Sequence, residues 1–125
     1  MTALWVALLG AVGSLARWGV GVGVGRVWKR TLPLGTLTVN VVGSTAIGFV
    51  MALYLARGEL DSRARVALTA GLLGGFTTYS AFAFESWALL DKRSIAWAAG
   101  YVALTVALCF AGCALGVMLG RWAAR

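Results

Sequence analysis

The chain has 125 residues, of which 61% are hydrophobic and 12% are charged. A water-soluble domain of this size needs a polar surface, which so few charged side chains cannot cover. Because roughly 20 apolar residues cross a bilayer as a helix, the length allows at most about five spans and leaves no room for a catalytic domain outside the lipid. Composition therefore predicts a small multi-pass membrane protein and excludes most soluble enzymes.

The formal net charge is +7, from eleven Lys and Arg against four Asp and Glu, and the chain has no His. The basic residues stand at the ends of apolar runs, where they anchor helices at lipid headgroups, and no run would follow a phosphate backbone. We therefore expect no nucleic-acid partner. Without His, a carboxylate pair or a nucleophile beside a base, the sequence also predicts no enzyme.

Four helical spans are predicted within one membrane domain that covers residues 1–125. Uncharged stretches mark three of them, and the first span is interrupted only by Arg17, which is either embedded or snorkels from the inner third of its helix. The expected spans are 2–25, 34–56, 65–90 and 94–120, joined by short loops at about 26–33, 57–64 and 91–94.

The basic residues divide evenly between the two sides of the predicted bundle. Loops one and three hold five Lys or Arg, and loop two with the C-terminus also holds five, once Arg17 is left out. An excess of Lys and Arg normally marks the cytoplasmic side, so the chain has no charge preference for one orientation. We expect insertion both ways, which would permit two copies to pair antiparallel.

The second span carries Thr36, Asn40, Ser44 and Gly48 at intervals of four, which places them on one helix face. Asn40 is the only Asn or Gln in the chain, and a carboxamide in lipid must find partners. Its role is either a hydrogen bond that joins two helices or an NH2 donor that faces a polar passage. Glu85, close to the end of the third span, is either an interfacial or ion-paired carboxylate or a buried functional one.

The fourth span has a stripe of small and polar residues at spacings of three and four. The stripe consists of Tyr101, Thr105, Cys109, Gly112, Gly116 and Gly120. The glycines favour close helix packing, whereas hydroxyls on the same line favour a polar track. Cys109 and Cys113 are interpreted as small packing residues. A run of alternating Gly and Val at 19–25 in the first span is interpreted as a packing surface.

The third span is unusual because residues 71–82 place three glycines, two Thr and a Ser near mid-membrane. Paired glycines can break a helix, and a break at this depth persists only where protein, water or an ion satisfies the freed backbone groups. Carbonyl oxygens at such a break suit a small hard cation such as sodium, whereas hydroxyls and freed amides suit an anion. The ring edges of Phe76, Tyr79 and Phe82 can also face an anion.

Along nearly its whole length the chain resembles the Fluc (CrcB-like) fluoride channels. Three motifs carry the resemblance: Gly13–Trp18 in the first span, Gly35–Gly43 in the second and Gly74–Phe82 in the third. The resemblance implies an all-α, dual-topology antiparallel homodimer of four-span subunits in the inner or plasma membrane of a bacterium. It further implies two passive, fluoride-selective pores, each lined by both subunits, through which cytoplasmic fluoride escapes so that its toxicity falls.

The resemblance also implies roles for individual residues. Gly74 and Thr77 correspond to the backbone-carbonyl donors of a central, structural sodium ion that is not transported. The implied anion pathway comprises Asn40, Thr78, Tyr79, Ser80, Phe82, Tyr101 and Thr105. Tyr79 stands where the family has Phe, and Cys109 stands where it has Ser, a better donor. Further candidate residues are Arg17, Thr36, Glu85 and Cys109.

Two other functions compete with a channel. A small multidrug-type antiporter also has four short spans, but its proton exchange needs a carboxylate deep in the membrane. The first span here has no acid, and Glu85 lies near the end of the third. A non-transporting scaffold is the second alternative, and it would have no reason to break a span or to align hydroxyls across three helices.

Overall fold

The computed structural model describes residues 1–28, 32–57 and 61–125, except the side chain of Arg57. The described residues form helices and contain no strand. Three spans are single helices, namely α1 (Thr2–Val27), α2 (Leu34–Arg57) and α6 (Ile95–Ala123). The third span is made of α3 (Ser62–Val66), a π-helical segment π1 (Ala67–Leu73), α4 (Gly74–Phe76) and α5 (Tyr79–Lys92).

Four helical runs are long and apolar enough to cross a membrane: 2–27, 34–56, 62–92 and 95–123. The prediction of an all-helical chain with four candidate spans is therefore confirmed. Parts of the first two predicted loops, residues 29–31 and 58–60, lie outside the described residues. The basic residues Lys29 and Arg30 of the charge count belong to these parts.

Two spans, α2 and α6, pack closely and run in the same direction. A Cβ added to Gly112 would lie 2.6 Å from the hydroxyl oxygen of Thr45, and one added to Gly116 would overlap the Thr45 carbonyl. A Cβ on Gly120 would lie 2.6 Å from the carbonyl oxygen of Phe49. Later residues of α6 contact later residues of α2, so the two helices are parallel. The glycine stripe is their contact surface.

The first and third spans form a second parallel pair. Gly71 of π1 packs against Val6, and Gly75 of α4 packs against Gly10 so closely that a Cβ would overlap the Gly10 carbonyl. On the α1 side, a Cβ on Gly13 would overlap the backbone of Leu72. Both spans therefore begin at one side of the bundle, which is also the side where α2 and α6 end.

A small apolar core joins these pairs where α5 turns back into α6. Its buried members are Leu37 from α2, Phe82 and Leu89 from α5, and Ala98 and Tyr101 from α6. Ser94 caps the start of α6 by accepting a hydrogen bond from the Trp97 amide at 3.5 Å. The core therefore packs α5, the second half of the third span, against α6.

The predicted packing surface at 19–25 is wrong within the described chain. A Cβ on Gly19, Gly23 or Gly25 would meet no atom within 4 Å, and all three are exposed. Only Gly21 has a close neighbour, since a Cβ on Gly35 would lie 3.3 Å from its Cα. The reason is geometric, because residues two apart on an α-helix point to nearly opposite faces, so alternating glycines form no single surface.

Candidate functional site

The helical run of the third span is interrupted at Thr77 and Thr78, whose backbones are extended, with φ and ψ of −80° and 159° and of −149° and 116°. The glycine pair Gly74–Gly75 is itself helical, so the interruption comes just after the pair that the sequence points to. α5 starts immediately afterwards, and the hydroxyl of Thr78 caps it by accepting from the Ala81 amide at 3.2 Å. β-Branched Thr suits extended backbone and also serves as an N-cap.

Asn40 of α2 holds the interruption in place. Its Oδ1 accepts from the Thr78 amide at 2.8 Å, and its Nδ2 donates to the Thr78 carbonyl at 3.0 Å. Of the two roles that the sequence left open for Asn40, the structure shows the one that joins two helices. A carboxamide nitrogen carries two hydrogens, so one donor remains for another partner.

The interruption diverts two amides from their helical acceptors. In a continuous helix the Thr78 amide would donate to the Gly74 carbonyl, and the Ala81 amide would donate to the Thr77 carbonyl. Here the Thr78 amide donates to Asn40, and the Ala81 amide donates to the Thr78 hydroxyl. The carbonyl oxygens of Gly74 and Thr77 are therefore left without the donors that a helix would supply.

A cavity of about 410 Å³ lies beside the interruption, between α2, the third span and α6. Gly74 and Thr77 contribute to its wall, and no charged side chain of the described residues lines it. Thr105 is only 3% exposed, and its hydroxyl oxygen has no hydrogen-bond partner among the described residues. Predicted pathway residues in the wall of the cavity are Asn40, Thr78, Tyr79, Phe82 and Thr105, and the further candidate Cys109 also lines it.

Three aromatic rings run from this cavity towards Glu85. The ring centroids of Tyr79 and Phe82 are 5.7 Å apart with planes tilted by 57°, and those of Phe82 and Tyr101 are 5.5 Å apart with planes tilted by 47°. Phe82 and Tyr101 are buried, whereas Tyr79 is 81% exposed. These tilts are typical of aromatic pairs, in which a positive ring edge approaches a neighbouring face.

Glu85 is the centre of a hydrogen-bond network that joins three helices. Its Oε1 accepts from the Thr36 hydroxyl at 2.7 Å, and its Oε2 accepts from the Tyr101 hydroxyl at 2.9 Å. No side chain in the described part of the chain forms an ion pair with it. Glu85 is therefore a half-buried carboxylate that accepts from two hydroxyls on neighbouring helices and forms no ion pair with a described residue.

A second cavity, of about 340 Å³, contains the remaining candidates from the first and second spans. Arg17 is half-buried and lines it together with Ser14 and Thr36. Thr78 lines both cavities and therefore lies between them. Ser80 lies beside this wall, with its hydroxyl 3.3 Å from that of Thr78.

The wall of the larger cavity also includes residues that were not predicted, among them one polar side chain, Thr69, and one aromatic ring, Phe110. Thr69 lies on π1, where wider turns change which residues share a face, so α-helical spacing gives no signal for it. Phe110 follows the predicted Cys109 on α6 and brings a further ring to the cavity. The sequence offered a signal only for Phe110, as an aromatic residue beside the polar stripe.

Four apolar spans around polar side chains at an interrupted helix define a multi-pass membrane protein with a polar site inside the bundle. The family model described as "CrcB-like protein, Camphor Resistance (CrcB)" matches residues 4–117. The chain therefore belongs to the CrcB-like family, and the predicted resemblance is confirmed.

Several curated relatives are similar to the chain over nearly its full length. One from Paracoccus denitrificans is 45% identical over 120 residues, covering 96% of this chain and 94% of its own, and one from Geobacter sulfurreducens is 41% identical over 120 residues, covering 96% and 97%. A relative from Caulobacter vibrioides is 44% identical over 119 residues, covering 94% of each. Each is named "Fluoride-specific ion channel FluC", an ion channel and not an enzyme. The chain is a multi-pass bacterial membrane protein.

Proposed function

We propose that the chain is a fluoride-selective channel through which cytoplasmic fluoride leaves the cell passively, reducing its toxicity. The observation that carries the proposal is the cavity at the interrupted third span, whose polar lining groups are uncharged. Relatives with at least 41% identity over nearly the full chain are named as fluoride-specific channels. The same cavity gives the proposed anion a place inside the bundle.

The proposed pathway follows weak donors. The free hydrogen of Asn40 and the unpartnered hydroxyl of Thr105 both belong to the larger cavity, and the rings of Tyr79 and Phe82 border it. From there the row of rings leads to Tyr101 and its hydrogen bond with Glu85. Donors without full charge let a small anion enter and leave, whereas a buried cation would retain it.

We further propose that two copies insert in opposite orientations and form an antiparallel homodimer. The even division of basic residues supports this, since neither orientation is favoured by charge. The exposed Tyr79 and the open wall of the larger cavity also support it, because a second copy would cover polar groups that lipid cannot satisfy. Both subunits would then line each pore.

A structural sodium ion at the dimer axis completes the proposal. The carbonyl oxygens of Gly74 and Thr77 lack their helical donors, and hard oxygen ligands of this kind suit sodium. Two antiparallel copies would supply two such carbonyls each. No group of three or more His, Cys, Asp or Glu in the described ranges offers a competing metal site.

The antiporter alternative has less support. Its proton exchange would need a deep carboxylate free to change protonation, but Glu85 is already engaged by the hydroxyls of Thr36 and Tyr101. The names of the relatives refer to a fluoride channel and not to drug export.

Purified protein in liposomes tests the proposed function. We expect fluoride efflux without chloride efflux and without dependence on a proton gradient, lowered by Phe82→Ile while the dimer persists in cross-linking. Replacing sodium on both sides of the membrane should reduce the flux. No flux in the presence of sodium, or proton-coupled uptake of a cationic drug, would rule out the channel. Unchanged flux in sodium-free buffer would count against the sodium site alone.

A further inference from the structure

The larger cavity contains one soft ligand atom among hard oxygen donors. Cys109 of α6 lines it, is half-buried and carries a free thiol. The other polar side chains in its wall are hydroxyls and the Asn40 carboxamide. None of the lining residues is next in sequence to the ranges outside the described residues, 29–31 and 58–60. Among the described residues that line this cavity, Cys109 therefore supplies the one thiol.

A buried hydroxyl lies one helical turn before this thiol. Thr105 is 3% exposed and lines the same cavity, and its hydroxyl oxygen has no hydrogen-bond partner among the described residues. Side chains four residues apart on a helix have Cβ atoms about 5–6 Å apart, so a group bound to the Cys109 sulfur lies within reach of the hydroxyl. Because an unpartnered buried hydroxyl costs free energy, a ligand that accepts a hydrogen bond from it is favoured here.

The other sulfur atoms of the chain lie elsewhere. Cys113 follows one turn later but does not line the cavity, and its carbonyl packs against Gly48 of α2. The chain also has three methionines that do not line the cavity: Met1, Met51 and Met118. A thiol-directed reagent that enters this cavity would therefore find Cys109 alone among the described sulfur atoms.

We propose that Cys109 binds soft, thiophilic metal ions, of which mercury(II) is the probe, and that the bound metal blocks the proposed anion pathway. Thiolate sulfur is the ligand that such ions prefer. With mercuric chloride, an S–Hg bond forms, one Hg–Cl bond breaks, chloride leaves and the thiol proton passes to solvent, so no electron is transferred. The chloride that stays on mercury accepts a hydrogen bond from the Thr105 hydroxyl.

The adduct would act on the pathway in two ways. It fills part of the cavity, and it engages the Thr105 hydroxyl, one of the weak donors along the proposed route. The block therefore rests on the proposed channel function. Metal binding at Cys109 does not rest on it, so the two are tested by separate measurements.

Native mass spectrometry of Cys113→Ser in detergent tests the site without reference to transport, because Cys109 is then the only thiol. We expect one mercury atom per chain after treatment with mercuric chloride and removal of the excess. Adding Thr105→Val removes the hydroxyl and should lower the glutathione concentration that strips half of the mercury by about fivefold, the effect of one hydrogen bond. Adding Thr105→Ser instead keeps a hydroxyl and should preserve that concentration.

Circular dichroism of each variant checks that it is folded. Absence of a mercury adduct in folded Cys113→Ser would overturn the proposed site. So would a Thr105→Val variant that holds mercury as tightly as Thr105→Ser does, because the hydroxyl would then take no part.

Fluoride efflux from liposomes tests the block, with each variant compared with its own untreated flux. Mercuric chloride should lower efflux by about tenfold in the wild type and in Cys113→Ser, as expected when a pathway loses a donor, and excess glutathione should restore it. Cys109→Ser should keep its untreated flux. Cys113→Ser is the matched control, since Cys113 is a half-buried thiol of the same helix that does not line the cavity.

The outcomes separate the block from the channel function itself. An equal block in Cys109→Ser, loss of the block in Cys113→Ser, or unchanged efflux in wild type that carries mercury would each refute the proposed block. Absence of fluoride flux before mercury is added would contradict the proposed function alone, and the mass spectrum would still decide whether Cys109 binds the metal.

Discussion

At the scale of single residues, Asn40 accepts from the Thr78 amide at 2.8 Å and donates to the carbonyl of the same residue at 3.0 Å. It therefore gives the Thr78 amide a partner in place of the Gly74 carbonyl that a continuous helix would supply. A Ser hydroxyl would not span both atoms, and an Asp carboxylate would face the Thr78 carbonyl without a donor. Its two partners explain why a carboxamide is placed in lipid at all.

Loss of this pair should affect both stability and transport. We expect Asn40→Ala to lower the free energy of unfolding by about 1–3 kcal/mol, because the Thr78 amide and carbonyl lose a partner in a low-dielectric site. Fluoride flux should fall in parallel, since the same amide belongs to the proposed pathway. Thermal unfolding in detergent micelles and fluoride efflux from liposomes measure the two effects.

Ser86→Ala is the control for Asn40→Ala. The Ser86 hydroxyl donates to the Phe82 carbonyl of its own helix at 2.7 Å and joins no second element. Its loss should change stability by no more than about 0.5 kcal/mol. If Asn40→Ala has wild-type stability and flux, the two hydrogen bonds between Asn40 and Thr78 are needed for neither folding nor transport.

The sequence singled out candidate polar residues but did not predict what their side chains contact. A single Asn in an apolar span must have partners, yet its partner Thr78 is 38 residues away. Glu85 was left between several interpretations, because Thr36, 49 residues away, and Tyr101 reach it only after three spans have packed. Sequence periodicity shows which residues share one face of a helix. Only the tertiary packing shows which residues of another helix that face contacts.

At the scale of elements, the glycine stripe of α6 sets how closely α2 approaches. Gly112, Gly116 and Gly120 are buried, and each would place a Cβ on an α2 atom. Lipid supplies little hydrophobic drive for helix association, so dispersion contacts between backbones at this distance stabilise the pair. Two further predicted members of the stripe, Tyr101 and Thr105, are also buried.

Two glycine-to-alanine substitutions on α6 should differ in their effect on the free energy of unfolding. Gly116→Ala would overlap the Thr45 carbonyl and should lower the free energy of unfolding by about 1–3 kcal/mol. Gly100 lies on the same helix, and a Cβ added there would meet no atom within 4 Å. Gly100→Ala should therefore be neutral or stabilising by up to about 1 kcal/mol. Thermal unfolding of both variants under identical conditions decides. A Gly116→Ala variant as stable as Gly100→Ala would contradict the close contact.

Element boundaries were less predictable than element existence. The glycine pair suggested a break at Gly74–Gly75, but the extended residues are Thr77 and Thr78. A glycine pair can remain helical when a neighbouring helix packs against it, as Gly10 packs against Gly75. The backbone at Thr78 is instead held extended by its hydrogen bonds with Asn40. Local propensity alone cannot choose between these sites.

At the scale of the whole molecule, the two parallel helix pairs place both chain ends at one side of the bundle. The Lys and Arg of the two sides are equal in number, five and five. Orientation should therefore respond to small changes in charge, because no existing bias has to be overcome.

We expect reporters fused after Arg125 to show both orientations in the wild type. Replacing Lys92 and Arg93 by Gln leaves three basic residues on their side against five on the other, so the C-terminus should become mainly cytoplasmic. The control exchanges Lys92→Arg and Arg93→Lys, which preserve charge and should preserve the mixture. A single orientation in the wild type would exclude insertion both ways.

The buried stripe of α6 serves two purposes along one line. Tyr101 and Thr105 face the polar network and the larger cavity, and Gly112, Gly116 and Gly120 face α2. One inserted residue between Thr105 and Gly112 would rotate one half by about 100° relative to the other. The hydroxyls and the glycines could then no longer face their partners together. The fourth span should accordingly tolerate many apolar substitutions on its lipid side but no change in length between these two groups.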